Sequence, residues 1–291
     1  MNPFPPFAGL RHGASINDKM LRQDLCLLRI DLLTNGIAMT LSTNPVSTTE
    51  KKSTAHARQI KLGAFLIPTG HHVGAWRHPD VPADSGLNFA HYKHLAQTAE
   101  RALFDAVFVA DNVAVTLGKG SDKVARADYF EPLTLMAALS AVTEHIGLIC
   151  TQTTSFNEPY HIARKFASLD YLSNGRAGWN LVTSDAAAEA TNFGRAEHFA
   201  HAERYQRAEE FFEVDSGLWD SWDDGAFIRD KTAGQYYDPQ KLHVLNHTGK
   251  HFSVSGPLNV ARPVQGRPVI VQAGSSEAGR TLAARTADVV F

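Results

Sequence analysis

Two cysteines, Cys26 and Cys150, are all that the 291 residues contain. That is too few for a disulfide framework, so the expected compartment is a reducing cytoplasm. Cys150 lies in an apolar run and reads as core packing. Long hydrophobic runs are also missing. The most apolar early stretch, 25–33, is broken by Arg29 and Asp31 and is too short to cross a bilayer. The same charges, with no small-residue cleavage site after them, make it a poor signal peptide. Neither sign of charge dominates: 28 Lys and Arg against 30 Asp and Glu give a formal net charge of −2. Nothing basic therefore argues for nucleic acid or an anionic membrane as partner. No G-x-G-x-x-G follows a strand, and neither G-x-x-x-x-G-K-[ST] nor G-x-S-x-G occurs. These absences argue against a dinucleotide fold, an NTP loop and a serine-hydrolase elbow.

What is present is an ordinary core-forming composition, 44% hydrophobic, and a telling run from Ile146 to Ser184. It reads as strand, helix, strand, with polar residues gathered where each strand ends. In a parallel barrel the loops after the strands build the functional face. The alternation begins at Lys61. Strands are expected at 62–68, 106–110, 146–151, 177–183, 268–273 and 288–291. Their continuous apolar character suits parallel strands covered on both faces. Helices are expected at 88–104, 132–145, 159–172 and 277–285, with a further one at about 200–218. Asn88 suits an N-cap, Pro132 and Pro159 suit first helical positions, and Asn174-Gly175 suits a stop. On the first helix Phe89, Tyr92, Leu95, Ala96, Ala99 and Leu103 share a face; on the third, Ile162, Phe166, Leu169 and Leu172 do.

The expected fold class is α/β, a TIM-type (β/α)8 barrel that is C-terminally truncated after about six strands. Residues 58–291 form this barrel domain, with an insertion at about 185–267. Residues 1–57, polar and poor in aromatics, read as a disordered or loosely attached extension, and Met39 is a candidate alternative start. A partner chain completing the ring is the other reading of the early end.

Several polar residues fall where ligands would be met. Asp111 ends a buried strand, where a charge needs a partner or a ligand; a loop cap or structural salt bridge is the plainer role. Thr151, Thr153, Thr154 and Ser155 crowd the end of the third strand, suited to a carbonyl or phosphate, although threonine simply favours strands. His201 and Tyr205 lie one turn apart and share a helix face, either gripping a ligand or wetting an amphipathic helix. Gly274, Ser275 and Ser276 join a strand to a helix and form an anion site, an N-cap, or both. The 14 histidines include no H-E-x-x-H, so no metal is expected. His72, Trp76 and Arg77 could shape a substrate entrance. Glu158 and His161 could serve a hydrolase or lyase, but Pro159 sets both at a helix start with no third partner.

Four stretches carry a family resemblance: G-A-W-R-H-P at 74–79, F-D-A-V-F-V-A-D at 104–111, the long run N-E-P-Y-H-I-A-R-K-F-A-S-L-D-Y-L-S-N-G-R-A-G-W-N-L-V-T-S at 157–184, and Q-A-G-S-S-E-A-G-R at 272–280. With them, Lys61 to Phe291 resembles the FMN-dependent, two-component monooxygenases of the nitrilotriacetate and dibenzothiophene-sulfone type, within the bacterial luciferase-like superfamily. The resemblance implies an enzyme that uses reduced FMN and O2 to oxygenate a small sulfur- or amine-containing organic molecule. The flavin would come from a separate NAD(P)H:flavin reductase, and the full-length protein would be a homo-oligomer. Asp111, Thr151, His201, Tyr205, Ser275 and Ser276 match family positions that contact or flank the flavin. No residue matches a general acid or base. The insertion, with its tryptophans and tyrosines, is the expected apolar lid. The alternative is a catalytically inactive fragment that at most binds flavin.

Overall fold

A computed structural model describes residues 26–32 and 60–291. Strand β1 (Cys26–Leu32) is followed by β2 (Lys61–Phe65), β3 (Ala106–Val109), β4 (Gly147–Thr153) and β5 (Ala177–Val182). After a two-stranded hairpin, β6 (His247–Thr248) and β7 (Ser253–Val254), come β8 (Val269–Gln272) and β9 (Val289–Val290). Strands β2, β3, β4, β5, β8 and β9 are parallel neighbours in that order. They are the six strands expected from the sequence. β1 runs antiparallel to both β2 and β9 and joins the two ends of the sheet into a closed ring. It lies within the stretch expected to lack fixed structure; the rest of 1–57, Met39 included, lies outside the described residues.

The strands are largely apolar because both faces are covered, with polar residues gathered towards the C-terminal ends of β4, β5 and β8. Ala106, Phe108, Ile149, Val271 and Val289 meet inside the ring. Their neighbours Val107, Leu148, Cys150, Trp179 and Ile270 pack into the larger outer core with the helices. Cys150 is fully buried, as expected. One step up from Ile149 on the same face stands Thr151, paired in register with Asn180. Thr151 Oγ1 donates to Val109 O at 3.0 Å and accepts from Asn180 Nδ2 at 2.8 Å. A polar layer thus tops the inner apolar one.

The helices begin where their caps dictate. α1 (Phe89–Arg101) starts after Asn88, whose side chain accepts from His91 N. α2 (Pro132–Ser140) starts at proline after Glu131, whose carboxylate accepts from Leu133 N and Thr134 N. α3 (Pro159–Ser173) ends at Asn174 and Gly175, both left-handed, with φ of 55° and 80°. α4 (Ala187–Asn192), α5 (His201–Trp219) and α6 (Glu277–Thr286) follow.

Three expectations need correction. α2 stops at Ser140 rather than at His145. Side chains take over the backbone there: Glu100 Oε1 accepts from the N–H groups of Glu144, His145 and Ile146, while Arg176 donates to Ser140 O, Thr143 O and Ile146 O. Leu103 and Leu172 are exposed, not core. Leu103 has left-handed backbone beyond the end of α1, and Leu172 turns outward in the last turn of α3. Finally, 185–267 is not wholly an insertion. It supplies α5, the crossover helix between β5 and β8, whose Phe211 packs on Trp179 with ring centroids 6.0 Å apart.

Candidate functional site

A cavity of about 430 Å³ opens at the C-terminal ends of the strands. Asp111 and Asn112 enter it from the loop after β3, and residues 181–185 from the end of β5. Glu189 comes from α4, and His201, Arg204 and Tyr205 come from α5. Residues 272–276 close the far side, from the turn between β8 and α6. Five of the six residues singled out in the sequence therefore share one cavity: Asp111, His201, Tyr205, Ser275 and Ser276. Thr151 does not line it; its hydroxyl is committed to Val109 and Asn180 in the barrel wall.

The β8–α6 turn is built to bring backbone close. A Cβ on Gly274 would sit 2.8 Å from Gly279 Cα, and one on Gly279 would sit 2.9 Å from Gly274 Cα. Ser276 caps α6, accepting from Gly279 N at 3.1 Å, and its Oγ donates to Tyr205 Oη at 3.3 Å. The N-cap reading of Ser276 holds, and the residue also lines the cavity. The His201 and Tyr205 rings stand 4.9 Å apart. Other first-turn N–H groups of α6 have no intrahelical acceptor and face outward from the helix start.

Among the described residues Asp111 finds no cation. Burial pushes its carboxyl up to about 6, helped by the nearby carboxyls of Glu131 and Glu189 and opposed by a hydrogen bond from Asn112 N. Glu189 is buried; its Oε1 accepts from Val113 N at 3.1 Å, and its Oε2 has no partner. Arg204 donates from Nη1 to Ser184 O, and its Nε has no partner. Asn180 Oδ1 is likewise buried and unpaired. A second cavity of about 210 Å³ shares Asp111 and Asn112 with the first. It is mostly apolar, with Phe65, Ile67, Pro68, Tyr92 and Tyr129 among its walls.

One open reading resolves to the plainer role, and one expectation fails. The hydroxyls of Thr153, Thr154 and Ser155 turn to the β5 side: Ser184 Oγ donates to Thr153 Oγ1 at 2.9 Å, and Thr154 and Ser155 donate to Val182 O and Thr183 O. They knit the wall instead of facing a ligand. Nor do the tryptophans of 185–267 form a lid. Trp219 and Trp222 are buried, donating to Ala163 O and Leu258 O at 2.9 and 2.7 Å, on the outer side of the barrel. His72, Trp76 and Arg77 line neither cavity.

Residues 64–291 match the family model described as luciferase-like monooxygenase. The chain belongs to the luciferase-like monooxygenase family. Among relatives it is 55% identical to N-acetyl-S-(2-succino)cysteine monooxygenase of Bacillus subtilis (strain 168), over 82% of this chain and 53% of that protein. It is 52% identical to nitrilotriacetate monooxygenase component A of Aminobacter aminovorans, over 80% of this chain and 54% of that protein. A solved riboflavin lyase, crystallised with a modified FMN and riboflavin, superposes with a TM-score of 0.72 at 37% identity, covering 78% of this chain and 52% of that one. The chain spans about half the length of the curated relatives it matches.

The residues present suit the flavin that this luciferase-like monooxygenase fold implies. A helix N-terminus with two serines and an arginine offers donors to a phosphate. In the same cavity, Glu189 Oε2, unpaired among the described residues, offers an acceptor. Sequence reading missed Arg204, Glu189, Asn112 and Asn180. Arg204 was within reach, because it sits three residues after His201 on the same face of α5. Glu189 sits in the alanine-rich D-A-A-A-E-A-T stretch, which gives no period to read.

Proposed function

We propose that this chain carries the flavin site of a monooxygenase that uses reduced FMN and O2 to oxygenate a small organic molecule. One observation carries the reading: Asp111, His201, Tyr205, Ser275 and Ser276, drawn from three separate segments, line a single cavity at the C-terminal rim. Bound reduced flavin supplies the electrons that activate O2 for transfer of one oxygen atom.

The protein's part is placement. The N-terminus of α6, with Ser275, Ser276 and Arg204, holds the phosphate. Tyr205 fixes Ser276 by their hydrogen bond, and His201 packs beside it. Asp111, whose carboxyl burial raises to about 6, can keep or release a proton at the wall common to both cavities. The smaller, apolar cavity excludes water from the organic substrate. Thr151 and Asn180 act one layer below, locking β3, β4 and β5 in register under the ligand.

The names of the two relatives specify a cysteine thioether and a tertiary amine, which supports a sulfur- or amine-containing substrate here. The absence of a dinucleotide motif supports supply of reduced FMN by a separate NAD(P)H:flavin reductase. The test is to combine the chain with FMN, NADH, a flavin reductase and thioether or amine substrates, and to look for oxygenated product by mass spectrometry. Flavin binding with no product favours the second reading, an inactive flavin-binding fragment. A folded sample that binds no FMN sinks both.

A further inference from the structure

Glu189 has one oxygen employed and one idle. The side chain lines the 430 Å³ cavity and is 3% exposed. Oε1 accepts from Val113 N at 3.1 Å and so braces the loop that carries Asp111 and Asn112. Oε2 is buried without a partner. The other charged or titratable groups lining the cavity are Asp111, Asp185, His201, Arg204 and Tyr205, and none hydrogen-bonds to Glu189. A buried acceptor left unpaired costs free energy that a ligand donor would restore.

Strand order says which part of a ligand that donor belongs to. The anion-binding turn follows β8, whereas Asp111 follows β3, and β4 and β5 stand between them. A long molecule with its phosphate at the β8 turn therefore brings its opposite end towards Asp111 and Glu189. In FMN the ribityl phosphate leaves the middle ring, so two edges lie remote from it; the dimethylbenzene edge offers no polar group, whereas the pyrimidine edge carries one imide N–H between two carbonyls. A carboxylate only accepts, so of these three groups it suits the N–H alone. We propose that Glu189 Oε2 accepts the imide N–H of the flavin ring. The assignment rests on reading the cavity as a flavin site.

Titration of the 291-residue chain with oxidised FMN and with N3-methyl-FMN, followed by flavin fluorescence, tests it. The wild type should bind FMN about 10-fold tighter than the methylated analogue. Glu189→Gln keeps the acceptor for Val113 N but places an amide NH₂ where Oε2 stood. It should bind FMN about 10-fold more weakly than wild type and distinguish the two flavins by no more than about 2-fold. Glu and Gln have the same size, so discrimination that survives in Glu189→Gln reflects the methyl group's bulk and overturns the proposal. So does equal binding of the two flavins by the wild type, or a variant altered only in the KM of an amine substrate. If the wild type binds neither flavin, the flavin site itself is refuted and the proposal falls with it.

Discussion

Ser276 Oγ donates to the Tyr205 hydroxyl at 3.3 Å, and this bond ties the first turn of α6 to the cavity face of α5. It is a long bond between half-buried groups, so its removal should barely touch stability. Tyr205→Phe is expected to cost about 0.5–1 kcal/mol in a urea melt. Its effect on ligand binding should be larger in proportion. Ser276 loses the partner that orients it, and FMN affinity should fall several-fold, read by fluorescence titration. Unchanged affinity would place the phosphate elsewhere.

Gly279 sits inside α6, where Gly→Ala ordinarily stabilises by about 0.5–1 kcal/mol. Here the sign should reverse. The new Cβ would meet Gly274 Cα at 2.9 Å and Tyr205 Oη at 3.1 Å, and the backbone contact has no rotamer to escape into. Gly279→Ala is expected to destabilise by about 1–3 kcal/mol and to weaken FMN binding as the turn widens. A stabilised variant would show that the turn yields freely.

Asp111 gives a pH signature. Its carboxyl rises from the ordinary 3.8 to about 6 on folding, so the native state binds more protons than the unfolded chain across that interval. Stability should therefore fall as pH rises from about 4 to 6 and stay lowered above it. Burial is the main cause, and the side chain keeps some contact with solvent, so the cost at pH 7 is on the order of 1 kcal/mol. Asp111→Asn, measured without flavin, should recover that amount at pH 7 and none of it at pH 3. Equal effects at both pH values would assign Asp111 a role in packing alone.

The barrel was legible because its signals are local. Short stretches with apolar starts or centres marked β3, β4 and β5, and Asn88, Pro132, Pro159 and Asn174-Gly175 fall where their backbone chemistry requires. Where long-range contacts decide, the sequence misled. The end of α2 depends on Glu100 and Arg176, which lie 40 residues before and 36 after Ser140. Trp219 and Trp222 were expected in a lid because nothing nearby in the sequence reveals that Ala163 O and Leu258 O await their indole N–H groups. In the site, strand ends and a glycine-serine turn were readable, whereas Glu189 becomes notable only once its unpaired oxygen is seen against the cavity wall.

Arg176 offers a test of that long-range control. Its guanidinium spends every arm on oxygen: Nε on Ser173 O at 2.7 Å, Nη1 on Thr143 Oγ1 and Ile146 O at 3.0 and 2.8 Å, and Nη2 on Ser140 O and Thr143 O at 3.1 and 3.0 Å. The nearby Glu100 carboxylate offsets the charge from a distance, while partial burial holds the guanidinium below its usual pKa. Lysine keeps the charge but has three donors on one atom and cannot span acceptors on α2, α3 and the segment before β4 together. Two or more carbonyls then lose their donor. Arg176→Lys should cost about 2–3 kcal/mol in urea unfolding, despite conserving charge. The loss should persist at 1 M salt, because carbonyl acceptors, unlike a surface ion pair, are not screened. Hydrogen exchange should speed up first at residues 141–147, between the end of α2 and β4; exchange that accelerates uniformly across the barrel would mean that Arg176 supports the whole fold rather than this junction.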